Sequence, residues 1–146
     1  RCVSMYDDTV VVTGWGDDGP SGGGVAGVKK GSVYIFRRDG TTWSKEEKFY
    51  YSDVNSNVEE TGFGMQNSCH IHQDTVVIGA FKQNINGNLS GAAYVFVRVS
   101  GQWSEEQRLL PNDPCASCKF GKSVSVWGDT VIVIVAALQR IQMLGL

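Results

Sequence analysis

The 146-residue sequence carries 13 Lys and Arg against 15 Asp and Glu, a net charge of −2, with 42% hydrophobic residues. That length and apolar content fit one ordinary folded domain. The charges are interspersed with no Lys/Arg block, which excludes an electrostatic footprint for nucleic acid or an anionic membrane surface. The longest apolar run, Val131 to Leu138, falls well short of the ~20 residues that span a bilayer, so membrane insertion is not expected.

The chain opens RCVSMYDD, without an initiator Met or an apolar leader, and reads as a processed product or a fragment. The alternating segment CVSMY leads into Asp8-Thr9, a β-branched run to Thr13, and a Gly-rich stretch at 14–31. Then come the strand signal GSVYIF from Gly31, the turn Asp39-Gly40, and a segment led by Trp43. Gly tolerates positive φ, so Asp-Gly between two such runs predicts a hairpin.

The same order then returns. Phe63-Gly64 precedes the alternating SCHIHQ, Asp74-Thr75-Val76, and a strand ending Gly79-Ala80. After an Asn/Gly-rich loop at 80–91 follow GAAYVFVR, the turn Ser100-Gly101, and GQWSEEQRL. Tyr34, Phe36, Arg38, Trp43 and Glu46 thus repeat as Tyr94, Phe96, Arg98, Trp103 and Glu106. A third start, Phe120-Gly121 with SVSVWGDTVIVIV, ends in AALQRIQMLGL, where no Tyr-x-Phe segment is legible.

Short strands rich in Val, Ile, Tyr, Phe and Trp, punctuated by turn residues, predict an all-β chain. Four antiparallel strands per repeat is the layout of a β-propeller blade, here incomplete at about two and a half blades. The expected blades are 1–49 and 50–110, with 111–135 the first half of a third. Residues 136–146 form an atypical tail, unassigned, whose scattered apolar residues fit one or two helical turns. A blade exposes two apolar faces and needs neighbours to bury them. Two and a half blades cannot close a ring, so the repeat favours a fragment of a longer protein.

With Phe-Gly, Asp-Thr-Val, Gly-Ala, Tyr-x-Phe and Trp-Ser-x-Glu recurring in order, nearly the whole chain resembles the FG-GAP repeat family, the blade type also found in the integrin α-subunit head. The resemblance implies a calcium loop between the second and third strands, of the form Asp-x-Asp-x-Asp-Gly-x-x-Asp. The first such loop offers Asp17 and Asp18, which as neighbours in an extended chain point opposite ways. The second offers Asn84, Asn86 and Asn88, whose oxygens are neutral, whereas calcium favours several carboxylates. Turn formation is the preferred reading at all five positions. No metal or other cofactor is expected, with calcium the one candidate.

Other chemistry is sparse. His70 and His72 flank Ile71 on one strand face and could ligate zinc only if a third ligand converged. Bonding to backbone is the favoured alternative. Cys69 reads as a small hydrophobe, and Cys2 as uninformative. Cys115 and Cys118, in a loop before a strand, favour a local disulfide over a redox motif. The acid pairs Glu46/Glu47 and Glu105/Glu106 recur once per blade, which argues for surface and turn duty. Tyr34, Phe36, Tyr94 and Phe96 read as blade core. Asn88-Leu89-Ser90 matches a glycosylation acceptor.

No phosphate-cradling loop or nucleophile motif is legible, and the expected protein is not an enzyme. It is a propeller segment for protein or glycan recognition, adhesion-like, with the remaining blades of the same propeller as further partners. The resemblance implies an extracellular or cell-surface setting. The alternatives are an accessory propeller beside a hydrolase or lyase domain outside this chain, and a calcium-stabilised structural module.

Overall fold

The computed structural model describes residues 1–17, 31–50, 61–84, 89–113, 115–136 and 140–146. It is an all-β structure of three antiparallel sheets. The first holds β1 (Val3–Tyr6), β2 (Thr9–Gly14), β3 (Ser32–Asp39) and β4 (Thr42–Tyr50) in sequential order. The second repeats it with β5 (Cys69–His72), β6 (Thr75–Ala80), β7 (Ala92–Val99) and β8 (Gln102–Leu109). The third contains β9 (Phe120–Trp127), β10 (Thr130–Val135) and β11 (Arg140–Gly145). These are the blades of the repeat, called here blades 1, 2 and 3.

Burial shows why the blades stack. In β6 of the middle blade, five consecutive residues from Val76 to Ala80 are buried, whereas in β2 and β10 burial alternates. Only a sheet covered on both faces buries consecutive residues. Val76, Ile78, Tyr94 and Phe96 meet Val11, Val33 and Ile35 of blade 1 in one core. Val77, Ala93 and Val95 meet Val124, Val126, Val131 and Val133 of blade 3 in another. Each such side chain contributes roughly 1.5–3 kcal/mol when fully buried, so these two interfaces dominate the stability.

The first strand of each blade is a sheet edge, and in blades 2 and 3 side chains from the preceding blade cap it. The Ile71 amide donates to Ser4 Oγ at 3.2 Å, and the Val126 amide donates to His70 Nδ1 at 3.1 Å. The Gly128 amide donates likewise to His72 Nδ1 at 3.2 Å. Both imidazoles therefore work as backbone acceptors between blades. An edge occupied in this way is closed to other strands.

Two expectations change. Cys69 is not a lone hydrophobe and Cys2 is not uninformative: they form a disulfide between blades 1 and 2, with Cα atoms 5.8 Å apart. Spacing alone could not pair them, because each sits on a different blade. The tail is not helical at 140–145, where it is a strand pairing with β10. Ile141 and Met143 read as scattered because they lie on one strand face, opposite Ile134 and Ile132. The second disulfide joins Cys115 and Cys118 in the loop before β9.

Candidate functional site

Antiparallel order sends the β2–β3 and β6–β7 connections to one end of the stack and the Asp-Thr turns to the other. At the loop end, one polar side chain after each second strand is tied back to the third. Tyr34 donates to Asp17 Oδ2 at 2.7 Å, and Tyr94 donates to Gln83 Oε1 at 2.8 Å. Asp17 Oδ2 also accepts from Ser32 Oγ at 2.9 Å and pairs with Lys48 Nζ at 2.8 Å. A shallow depression of about 440 Å³, lined by Arg1, Gly14, Trp15, Gly16 and Asp17, opens beside it.

The hydrogen bond to Asp17, with help from Tyr34 and Tyr50, raises the Lys48 ammonium above its ordinary value of 10.5. A group raised by folding stabilises the fold below its unfolded value and loses that contribution as pH climbs past it. The stability gap between the protein and an Asp17→Asn variant should therefore close above pH 10.5, read from urea midpoints. A gap that stays constant to higher pH would contradict this pairing.

Of the five candidate calcium positions, only Asp17 and Asn84 lie among the described residues. The Asp17 carboxylate is engaged by Ser32, Tyr34 and Lys48. Asn84 Oδ1 is buried without a hydrogen-bond partner among the described residues. Asp18, Asn86 and Asn88 lie outside the described residues. Among the described residues no three His, Cys, Asp or Glu side chains converge as a metal site.

The recurring Phe-Gly and Gly-Ala pairs touch each other across blades. Phe63 is buried between blades 1 and 2, its ring edge-on to Tyr94 at 5.5 Å. Gly121 runs so close to Gly79 that a Cβ on Gly79 would lie 1.8 Å from the Gly121 carbonyl oxygen. Gly91 faces Phe120 as tightly, its Cβ position 2.2 Å from the Phe120 oxygen. Both motifs are thus two sides of one backbone approach that excludes side chains. Blade 1, with Thr13 in place of this Gly, keeps a close approach, a Cβ on Gly64 lying 2.5 Å from Thr13 Cβ, and adds a hydrogen bond from Thr13 Oγ1 to the Gly64 carbonyl.

A family model described as FG-GAP repeat matches residues 43–96 and 103–140, more than half of the chain. The chain belongs to the FG-GAP repeat family. No match was found among curated proteins. Among the described residues, no helix is long and apolar enough to cross a membrane.

The FG-GAP blades also share a polar latch that sequence reasoning missed. Register slips by one residue between Ile35 and Phe36, so Glu46 bulges out of β4. The bulge re-aims its side chain at the next blade. Both Glu46 oxygens lie 3.2 Å from Arg98 Nη1, and Trp103 Nε1 donates to Oε2 at 3.0 Å. Arg98 also pairs with Asp74 at 2.6 Å and lies over the Trp103 ring. Burial alone would lower the Arg98 pKa, but the bonds to Asp74 and Glu46 outweigh it and the net shift is upward.

The surface duty expected of Glu46 is therefore corrected: its side chain is 18% exposed and joins two blades. The only sequence signal was its co-occurrence with Arg and Trp in each repeat. Replacing Glu46→Gln keeps the shape and removes the charge that Arg98 faces. The expected cost is about 1–2 kcal/mol in urea unfolding, the scale of a partly exposed charged hydrogen bond. A change within about 0.3 kcal/mol would remove the latch from the account of stability.

Proposed function

We propose that this chain is a non-catalytic propeller segment for protein or glycan recognition, adhesion-like, within a larger extracellular protein whose remaining blades complete the ring. The observation that carries this reading is a rigid stack of FG-GAP blades presenting the β2–β3 and β6–β7 connections from one end. Loops on a rigid scaffold are where recognition concentrates. The disulfide between Cys2 and Cys69 supports an oxidising, extracellular setting. The depression beside Trp15 and Asp17 offers an aromatic and polar lining at the same end.

A glycan array and a panel of immobilised extracellular matrix proteins test the proposal. Binding should be lost when residues 85–88 are replaced by a Gly-Ser linker, while the thermal midpoint holds. That replacement spares Gln83 and Gly91, which the fold uses. Binding that survives this replacement and a Trp15→Ala change would count against the loop end as the recognition surface. The calcium-stabilised alternative is disfavoured by the engagement of Asp17 with Lys48. Millimolar calcium or chelator should leave the thermal midpoint unchanged, and a calcium-dependent rise would restore that alternative.

A further inference from the structure

We infer that a carboxylate at the place of Glu46, carried by the FG-GAP blade that packs on the outward face of blade 1, closes on Arg38 and Trp43. The inference rests on the proposed propeller and specifies which neighbour this face accepts.

Arg38 repeats the geometry of Arg98. It pairs with Asp8 at 2.6 Å, as Arg98 pairs with Asp74, and lies over Trp43 at 5.7 Å, as Arg98 lies over Trp103 at 5.2 Å. The difference is the carboxylate from the neighbouring blade. Trp103, covered by Glu46 of blade 1, is 6% exposed, whereas Trp43 is 46% exposed. The apolar positions follow the same logic. Cys69 and Ile71 are buried against blade 1, whereas Val3 and Met5, at their places in the repeat, are 67% and 66% exposed. Blade 1 thus presents the basic and aromatic half of an interface already built between blades 1 and 2.

A second copy of this chain does not supply the other half. Its blade 3 has, among the described strands β9–β11, none at the place of β4 or β8, the strands that carry the carboxylate. Blade 3 also lacks the latch arginine. The Leu146 amide donates to the Asp129 carbonyl as the amides of Arg38 and Arg98 donate to Asp8 and Asp74. Leu146 therefore occupies the latch arginine's position without its charge, and exposed Glu106 meets no counterpart of Arg98 there. The latch chemistry selects a complete blade with an acidic bulge over the third blade of another copy.

The test is a tandem chain with a second copy of residues 1–66 fused ahead of Arg1, the added Cys2 changed to Ser. Amide exchange at Val3 and Met5 should slow by about tenfold or more relative to the unaltered chain. Glu46→Gln in the added copy should lower the thermal midpoint by about 3–6 °C, and have no further effect once the original Arg38 is Met. Slowed exchange without that coupling would leave the propeller reading standing and overturn the latch. Exchange that does not slow would overturn both. A closed oligomer of the unaltered chain with Val3 and Met5 protected would show that a second copy fills the face, and would overturn the inference.

Discussion

Opening the Cys2–Cys69 disulfide, by reduction or by the double change Cys2→Ala and Cys69→Ala, is expected to cost about 4 kcal/mol of unfolding free energy. The bond ties the start of blade 1 to β5 of blade 2 across a sequence separation of 67. A cross-link of that span removes much more freedom from the unfolded chain than from the folded one. It also lies in the interface core, with both cysteines at most 6% exposed, so lost packing adds to the entropic effect. The urea midpoint should fall by about 2 M for a slope near 2 kcal/mol per M. Cys115→Ala with Cys118→Ala provides the control, since that bridge closes a separation of only 3 and should cost less than half as much. Equal losses from the two pairs would mean that blades 1 and 2 gain nothing specific from being stapled.

Gly79→Val should destabilise the protein by more than about 3 kcal/mol, the upper range for overpacking a filled site. The nearest atoms to its added Cβ are the Gly121 oxygen and carbon at 1.8 and 2.7 Å, and both are backbone. Backbone cannot rotate aside as a flexible side chain does. Relief requires blades 2 and 3 to separate at the loop end, which opens the core around Val77, Phe120 and Val133. Gly16→Ala is the matched control, because nothing lies within 4 Å of its Cβ position. It should change the unfolding free energy by less than about 0.5 kcal/mol. Folding of Gly79→Val at near-native stability would contradict the close approach of the Phe-Gly and Gly-Ala pairs.

These two positions mark how far the sequence could be read. Repeated Phe-Gly, Asp-Thr-Val and Tyr-x-Phe made the blades legible, because alternating apolar residues fix strand faces and turn residues fix strand ends. Phe63, Tyr94 and Phe96 accordingly lie in the core, whereas Tyr34 and Phe36, expected there as well, are only half-buried. The third strand of blade 3 was not legible. Gln142 and Leu144 stand at the places of Tyr34 and Phe36, so the strand keeps its register while losing the residues that advertise it. Pairing of Cys2 with Cys69 was hidden because it depends on how far apart the blades stand, which local spacing does not encode.

The candidate site was less legible than the fold. Asp17 was read as a weak cation ligand, but the position of Lys48 across β4 turns it into the acceptor of a local network. That placement depends on register between β3 and β4, including a bulge that no turn residue signals. Glu46 was discounted because it recurs in every complete blade. In a stack, recurrence is also the mark of a contact made once per interface, and only the coordinates distinguish that from solvent exposure.

The measurement that bears most directly on the stacking of these blades is a set of long-range proton contacts by solution NMR. The Phe49 and Phe96 rings, 4.6 Å apart, should cross-relax, as should the Val126 amide with His70 and the Ile71 amide with Ser4. All three sets present together would place blades 1, 2 and 3 side by side in chain order. Their absence, with contacts joining Tyr34 directly to Tyr94 along one continuous sheet, would contradict it.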